Sequence, residues 1–367
     1  MKVFTINPGS TSTKVALFEG DECTFSVNVG HSAIDLAQFT SLGEQLPFRE
    51  RAILEQLDEA DVSLEGLDAV VGRGGGLVSM EGGVYVVNDL VLDHSITCKN
   101  GVIHPASLGP TLAHRFAERF GGAAFVVNPP DVDEYQDVAR LTGIKGVYRS
   151  SHIHSLNQKE VGRRHALALG RRYDECNFII GHLGGGLSVA AHRHGHMIDG
   201  NDIVAGEGPM APTRCGAIPA DGLIRLCFSG AYTERELLSM CTRNGGFVDL
   251  LGTSDAREVR QRADDGDALA RLVWDTMAYQ ICKQIGAMAS VLKGEVDAIL
   301  LSGGMVYERR LVEAIEDACG YIAPITAYPG EFEMEAMAAG AVQVLTGEVE
   351  AKTYTGVPAW TPEDLAS

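Results

Sequence analysis

The sequence has little that points to a membrane, a nucleic acid or an oxidising compartment. Its formal net charge is −19, and so negative a surface repels nucleic acid and anionic lipid at long range. No apolar run reaches the length of a membrane span, and no basic start precedes a long apolar stretch. We therefore expect a cytoplasmic protein without a nucleic-acid or membrane partner.

Cysteine motifs are also missing. The 8 cysteines form no C-x-x-C pair and lack the density of small secreted domains, so we expect reduced thiols rather than zinc ligands or disulfides. Low-complexity linkers are absent too. What the chain does have is 45% hydrophobic residues over 367 residues, enough for a sizeable core and about two domains.

Strand-like and helical patterns alternate along the chain, which is typical of an α/β fold. The predicted strands are residues 3–6, 69–72, 83–87, 124–127, 178–182 and 298–301, and the predicted helices are residues 49–59, 111–120, 158–169 and 268–292. Glycines cluster at strand ends, in residues 74–76, 184–186 and 303–304. Glycine there lets the backbone turn tightly or approach a ligand.

The segment NPGSTSTK, residues 7–14, follows the first predicted strand and carries side chains and amides that suit a polyphosphate. It lacks the Gly-x-x-x-x-Gly-Lys spacing of the Walker loop. Residues 15–18 supply a second strand, so the loop joins two antiparallel strands, as in actin-like and sugar-kinase-like ATPases. A plain β-hairpin turn explains the same residues by local chemistry alone.

A second segment repeats this arrangement. HLGGGLSVAA, residues 182–191, also runs from strand through loop to strand, with a hairpin tip at residues 193–196. A third glycine loop, residues 301–305, precedes a helix from about Glu308, where its amides suit a nucleoside or its phosphates. The three loops together predict two similar domains that clamp a nucleotide, and three ordinary glycine turns are the alternative.

Eight segments stand out for their order along the chain: NPGSTSTK, VGRGGG, HPASLGP, SSHIHSLNQK, HLGGGLS, GPMAPTRCG, LLSGGM and YPGEFEME. In that order they resemble the acetate kinase family and look most like its butyrate kinase branch, over nearly the whole chain. The resemblance implies a duplicated actin-like (ribonuclease H-like) ATPase fold with two β-sheet domains and an interdomain cleft. The implied domains are 1–148 plus about 337–367, and 149–336, which carries most nucleotide contacts.

The resemblance also implies an activity. It is the reversible transfer of the ATP γ-phosphoryl group to a short-chain carboxylate such as butyrate, which gives an acyl phosphate and ADP. The implied metal is Mg²⁺, and the implied assembly is a homodimer or a higher homo-oligomer. An acetate or propionate kinase is the alternative within the family.

Site residues follow from the same resemblance. It implies active-site roles for Arg73, His154 and Arg214. An acidic position associated with Mg²⁺ matches Glu331 or Glu333, and spacing does not decide between them. The residues implied to bind the nucleotide are Asn7, Ser10, Ser12, Lys14, His182, Gly184, Gly185, Gly186, Gly303 and Gly304.

The chemistry explains why these residue types are needed. A carboxylate that attacks a γ-phosphate brings two anions together, so positioned cations carry most of the catalysis. Arg73 and Arg214 suit this task because a guanidinium is always charged and donates two parallel hydrogen bonds. The attacking carboxylate is already ionised and needs no general base. We therefore expect His154 to hydrogen-bond the transferring phosphoryl group, with a core histidine near a helix start as the alternative.

One position departs from the family pattern. Asn128, in FVVNPPD, stands where the family usually carries an aspartate after a buried strand. An amide offers Mg²⁺ no negative oxygen, although its carbonyl can ligate a metal. Either Asp131 or Asp133 compensates, Asn128 suffices, or activity is reduced, and a simple loop opening is the structural alternative. We treat Asn128 as a site residue and Asp131 as a candidate metal ligand.

The size of the acid pocket is predicted from offsets around the matched residues. Acetate kinases resembling this chain carry a bulky aliphatic residue, an aromatic residue and a proline where this chain has Gly75, Ile153 and Ala205. All three changes remove volume, so the pocket should admit a longer or branched acyl chain. Each buried methylene contributes about 0.8 kcal/mol, and butyrate has two more methylenes than acetate. Butyrate should therefore be favoured over acetate by roughly tenfold.

Two functions of other classes stay open. An actin-like ATPase that acts as a scaffold or switch would need ATP but no carboxylate. A sugar or polyol kinase on the same fold would need a base such as Asp131 or Asp133.

The alternating His192, His194 and His196 fall in the predicted hairpin tip, where we expect a solvated turn rather than a metal site.

Overall fold

A computed structural model describes residues 1–366, which form two compact units. Unit 1 contains residues 1–133 and the residues from Phe332 onward, and unit 2 contains Glu134–Glu331. Unit 1 is therefore discontinuous in sequence. The domain limits implied by the resemblance, 1–148 with about 337–367 and 149–336, remain a proposal.

Strands and helices alternate along both units. The strands are β1 Lys2–Pro8, β2 Ser12–Glu19, β3 Glu22–Gly30, β4 Ala69–Gly72, β5 Val84–Val86, β6 Ala123–Val127, β7 Asn177–Leu183, β8 Leu187–Arg193, β9 His196–Gly200, β10 Ala298–Gly303, β11 Ile325–Pro329 and β12 Lys352–Thr353. The helices are α1 Ala33–Ala37, α2 Leu46–Glu59, α3 Asp89–Thr97, α4 Gly109–Phe120, α5 Ser155–Ala168, α6 Ala220–Cys227, α7 Glu234–Thr242, α8 Phe247–Leu251, α9 Ala256–Asp264, α10 Ala268–Val291, α11 Arg309–Cys319 and α12 Glu333–Leu345. Within residues 1–366, no helix combines the length and the apolar character that crossing a membrane requires.

Each unit is built on one mixed sheet. Unit 1 has seven strands in the order β12-β5-β6-β4-β1-β2-β3, and unit 2 has five in the order β11-β10-β7-β8-β9. The run β3-β2-β1-β4-β6 matches β9-β8-β7-β10-β11 in chain order and direction, with two antiparallel pairs followed by two parallel pairs. The internal repeat expected from the two glycine-containing hairpins is therefore present in the backbone.

Alternating apolar residues on β1 build the core of unit 1. Phe4 and Ile6 are fully buried in one cluster with residues of α2 and α4, as expected for residues on the same face of a strand. Phe116 of α4 packs against Phe4 with ring centroids 5.5 Å apart. Both α4 and α12 contact β1, β4 and β6, so these helices hold the central strands in place.

The longest helix, α10, forms much of the core of unit 2. Asp267 caps its start by accepting hydrogen bonds from the amides of Leu269 and Ala270. Its buried residues recur every three or four positions and pack on β7, β8 and β9. The helix α5 packs against β7 and β10, which places its start near the ends of those strands.

The β8–β9 hairpin turns at His194 and Gly195, whose φ angles are 49° and 84°. Positive φ at both positions is what a type I′ turn requires. His194 and His196 are exposed, but His192 is 0% exposed. The interpretation of all three histidines as a solvated turn was therefore wrong for His192, which lies in β8 and faces the interior.

Candidate functional site

Polar residues follow the parallel strands of unit 1 at one edge of the sheet. The strands β1, β4 and β6 are paired in register near their carboxyl ends. Asn7 is the next-to-last residue of β1, and Arg73 and Asn128 come directly after β4 and β6. The sheet edge thus brings together three predicted site residues that are far apart in sequence.

Glu333 joins this group in unit 1. Its Oε2 accepts a hydrogen bond from Asn7 Nδ2 at 2.7 Å, and its Oε1 lies 3.4 Å from Arg73 Nη2. Arg73 is 6% exposed and Glu333 19% exposed, so water screens this ion pair only partly. Glu333 is the first residue of α12. Of the two glutamates left open by spacing, Glu333 is the one beside two other predicted residues.

Asn128 has contacts of its own at this edge. Its φ is 38°, in a region that asparagine tolerates better than most residues. Its Oδ1 accepts a hydrogen bond from the Gly83 amide at 2.8 Å, and its backbone oxygen lies 3.5 Å from Arg73 Nη1. Asp131 is 4% exposed and accepts a hydrogen bond from Asn100 Nδ2 at 2.6 Å. Both residues therefore have local structural partners.

The first loop presents polar side chains to solvent. Ser10 and Lys14 are exposed, and Ser12 is half-buried. Lys14 lies directly opposite Asn7 in the β1–β2 register, so the two side chains share one face of the hairpin. Hydroxyl donors and a cation at one loop are the groups that an anionic ligand requires.

The sequence-based predictions missed Arg49 of α2, which supports the first loop. Arg49 is 0% exposed, and its guanidinium donates to Gly9 O at 3.0 Å, to Ser12 O at 3.1 Å and to Thr13 Oγ1 at 2.8 Å. Burial lowers the pKa of Arg49 to about 10, so the group stays cationic at neutral pH. All these acceptors are uncharged, and the buried positive charge favours an anion at the loop.

The second loop of unit 2 lies against Arg214. A Cβ at Gly186 would coincide with the Arg214 guanidinium, so only glycine leaves room for it. Thr213 Oγ1 donates to Gly185 O at 2.9 Å, which ties the arginine segment to the loop. Burial lowers the pKa of Arg214, and the charge of Asp202 opposes this shift. Within residues 1–366, no acceptor reaches the buried Nε and Nη1 of Arg214.

The third loop meets the second. Gly303 has a φ of 96°, and a Cβ there would overlap the backbone of Leu183 at the end of β7. A Cβ at Gly304 would meet no atom of residues 1–366 within 4 Å. The glycine loops predicted after β7 and β10 therefore lie side by side in unit 2, and glycine is required where they touch.

Two histidines stack beside these loops. The ring centroids of His154 and His182 are 4.0 Å apart, and the planes differ by 22°. His154 precedes α5, and its Nδ1 lies 2.8 Å from Ser188 Oγ. Asn157 Nδ2 lies 2.8 Å from His182 Nδ1. The other ring nitrogen of His182, Nε2, lies 3.7 Å from Glu331 Oε1, on a carboxylate that is 57% exposed.

The three residues expected to shape the acid pocket differ in their surroundings. Gly75 is buried in unit 1. Ile153 of unit 2 is 1% exposed and packs against Gly200. Ala205, also in unit 2, is exposed. Their joint role stays a prediction.

The donor set of unit 1 fits a weakly held divalent cation better than a dedicated metal cage. Within residues 1–366, no three His, Cys, Asp or Glu side chains are placed to hold a metal ion. In phosphoryl-transfer sites, Mg²⁺ is held by one or two carboxylates and takes its other ligands from phosphate and water. Glu333, beside Asn7 at the first loop, suits that arrangement.

The chain is similar to known proteins along most of its length. The model of the Acetokinase family matches residues 128–320. Butyrate kinase 2 from Clostridium acetobutylicum is 44% identical to this chain over 353 residues, which cover 96% of this chain and 99% of that protein. The second comparison spans the residues of both units.

Solved structures share the fold. An acetate kinase from Porphyromonas gingivalis aligns with a TM-score of 0.75 and 20% identity, covering 94% of this chain and 99% of the other. An acetate kinase from Entamoeba histolytica aligns with a TM-score of 0.74 and 17% identity, covering 93% and 98%. The expected actin-like ATPase fold with two sheets is confirmed.

Proposed function

Because this chain belongs to the Acetokinase family, we propose that it transfers the γ-phosphoryl group of ATP reversibly to butyrate or a similar short or branched fatty acid. The activity is that of a short-chain carboxylate kinase, a phosphotransferase with a carboxyl acceptor. Family membership favours this activity over the scaffold and the sugar-kinase alternatives. The choice of acid rests on the butyrate kinase relative and on the pocket residues.

The observation that carries the proposal is the Arg214 guanidinium. Two of its buried nitrogen atoms meet no acceptor within residues 1–366, and buried donors are normally paired. The group lies against the glycine loop at Gly186. A transferring phosphoryl group would supply the missing acceptors and the compensating negative charge.

The other residues have complementary tasks in this proposal. The first loop, with Asn7, Ser10, Ser12 and Lys14, and the glycines of the two other loops bind ATP. Arg73 holds an anionic group of either substrate. His154 donates a hydrogen bond to the phosphoryl group and abstracts no proton, since the acid is ionised at neutral pH. These roles require no covalent intermediate.

We propose Glu333 as the carboxylate that binds Mg²⁺, with Glu331 and Asp131 as weaker candidates. Glu333 contacts Asn7 and Arg73, whereas Asp131 bonds to Asn100. When bound, Mg²⁺ neutralises charge on the phosphate oxygens. A cytoplasmic location, expected from the composition, and a homodimer, implied by the resemblance, remain part of the proposal.

Acyl-hydroxamate formation tests both the activity and the acid. With MgATP and acids from acetate to hexanoate plus isobutyrate, we expect a maximum of kcat/KM at four carbons, roughly tenfold above acetate. A maximum at acetate would contradict the pocket argument, and no product from protein that binds ATP would contradict the activity.

A substitution that adds a methyl group to the expected acid pocket tests the pocket argument directly. A Cβ at Gly75 would lie 3.5 Å from the Ser107 amide nitrogen, which is ordinary contact, but the φ of Gly75 is 159°, a conformation that alanine rarely adopts. Gly75→Ala should therefore lower the melting temperature, and in the folded protein it should shift the preference toward shorter acids. Gly222→Ala is the control, because a Cβ there meets nothing within 4 Å in residues 1–366.

Asn128→Asp tests the metal proposal. The aspartate keeps the acceptor for the Gly83 amide and adds a negative oxygen at the sheet edge. We expect normal folding and a severalfold lower Mg²⁺ concentration for half-maximal rate. Asn244→Asp adds the same charge at an exposed position and should change nothing. An unchanged or higher Mg²⁺ requirement in Asn128→Asp would mean that the site is adapted to the amide.

A further inference from the structure

A backbone carbonyl fixes the orientation of a buried amide in unit 2. Gln158 of α5 is 0% exposed, and its Nε2 lies 3.2 Å from Ser188 O and 2.9 Å from Ser188 Oγ. A backbone oxygen only accepts hydrogen bonds, so the NH₂ group of Gln158 must face Ser188. The other end of the amide, Oε1, therefore points to its second partner as an acceptor.

That partner is His192, whose two nitrogens both have contacts. Its Nε2 lies 2.8 Å from Gln158 Oε1, and its Nδ1 lies 2.5 Å from the Tyr173 hydroxyl. Because the amide oxygen only accepts, the His192 proton is on Nε2, and Nδ1 accepts from Tyr173. Burial, with the charge of Lys159, lowers the pKa of His192 to about 3, although Glu134 opposes the shift. The ring is therefore neutral at physiological pH.

At its other end the chain of hydrogen bonds reaches His154. Ser188 Oγ accepts from Gln158 Nε2 at 2.9 Å and lies 2.8 Å from His154 Nδ1. The hydroxyl has one proton, and within residues 1–366 His154 Nδ1 is the acceptor that remains for it at hydrogen-bond distance. With Nδ1 accepting, a neutral His154 carries its proton on Nε2.

We propose that the buried chain Tyr173, His192, Gln158 and Ser188 holds His154 as a neutral donor with its proton on Nε2. The direction of these hydrogen bonds is set by the Ser188 backbone carbonyl, which can only accept a hydrogen bond. Gln158 and His192 are thus positioning residues that act through Ser188. The catalytic consequence rests on the proposed function, in which His154 donates to the phosphoryl group. The assignment of the His154 tautomer does not depend on the proposed function.

Gln158→Glu reverses the direction of these hydrogen bonds and leaves the size of the side chain nearly unchanged. The carboxylate still accepts from His192 Nε2, but it offers Ser188 no donor. The Ser188 hydroxyl then donates to residue 158, and His154 Nδ1 becomes a donor to Ser188 Oγ. In ¹⁵N-histidine NMR, with the His154 signal assigned through His154→Gln, we expect a bare Nδ1 in the wild type and a protonated Nδ1 in Gln158→Glu. We also expect kcat to fall about 100-fold with KM little changed.

Gln280→Glu is the matched control. Gln280 Oε1 accepts from the Met210 amide at 2.7 Å, a bond that a carboxylate keeps, so the His154 tautomer and kcat should stay as in the wild type. If Gln158→Glu does not fold, Ser188→Ala removes the donor to His154 directly and should produce a mixture of both tautomers.

A proton on Nδ1 of His154 in the wild type, or an unchanged tautomer in the folded Gln158→Glu and Ser188→Ala variants, would overturn the proposal. The NMR readout needs neither ATP nor an acid. A protein that phosphorylates no carboxylate but shows the expected tautomers would refute the proposed function and leave the hydrogen-bond chain intact.

Discussion

Replacing Arg214 with methionine is expected to lower kcat about 1,000-fold without loss of stability. The guanidinium has two buried nitrogens that meet no acceptor within residues 1–366, and burial lowers its pKa. Such a group costs folding free energy, because the charge of Asp202 only partly offsets the burial of the cation. Methionine has similar length and no charge, so the melting temperature should be unchanged or higher.

The combination of lost activity and retained stability is the diagnostic result. Arg214→Lys keeps the charge but not the two parallel donors, and it should retain more activity than Arg214→Met. Arg225→Met removes a guanidinium that is 82% exposed and should leave kcat unchanged. If Arg214→Met keeps its activity, or unfolds at lower temperature, Arg214 is a structural residue.

A variant that leaves the arginine in place provides an independent check. A Cβ at Gly186 would occupy the position of the Arg214 guanidinium, so Gly186→Ala should displace it and reduce kcat by a similar factor. Gly286→Ala, in α10, adds a Cβ that meets nothing within 4 Å in residues 1–366, and it should have wild-type activity.

Replacing Arg49 with methionine is expected to have the opposite profile, with a loss of about 3 kcal/mol in the free energy of unfolding. Arg49 donates to Gly9 O, Ser12 O and Thr13 Oγ1, and its removal deletes these three hydrogen bonds, although the Gly9 amide still donates to Ser12 O and His31 Nε2 still lies 2.8 Å from Thr13 Oγ1. For a unit of this size, the melting temperature should fall by roughly 6–12 °C. The KM for ATP should rise, because the first loop loses its support.

Arg51→Met, on the exposed side of the same helix, is the matched control and should stay within about 0.5 kcal/mol of the wild type. Thermal and urea unfolding followed by circular dichroism measure both variants. An Arg49→Met protein as stable as Arg51→Met would show that water replaces the guanidinium at the loop.

Local patterns in the sequence predicted the strands and loops that build the two sheets. The strand at Ala69–Gly72 has the predicted limits, and the hairpins around NPGSTSTK and HLGGGLS are both present. These features depend on alternation and turn chemistry within a few residues. The edge strands β3 and β11 were not predicted, because much of each is polar or half-exposed.

Local sequence patterns did not predict the contacts between segments that are distant in sequence. Glu331 and Glu333 are two positions apart, and only the packing of α12 on β1 and β4 places Glu333 beside Asn7. His192 and His194 share a sequence pattern, but the turn at His194 exposes one while α5 covers the other. Arg49 resembles any helix arginine in the sequence, and its burial depends on the fold of the first loop.

The discontinuity of unit 1 has a consequence for how the protein is made. A ribosome finishes β1–β6 first, but α12, which packs on β1, β4 and β6, emerges only after the whole of unit 2. At about 5–20 residues per second, the roughly 200 intervening residues take about 10–40 s to synthesise. For that time the central strands of the first sheet lack α12 in the nascent chain, although α4 is already available to pack on them. We therefore expect chaperones to bind mainly the first 133 residues of the nascent chain until α12 has been synthesised.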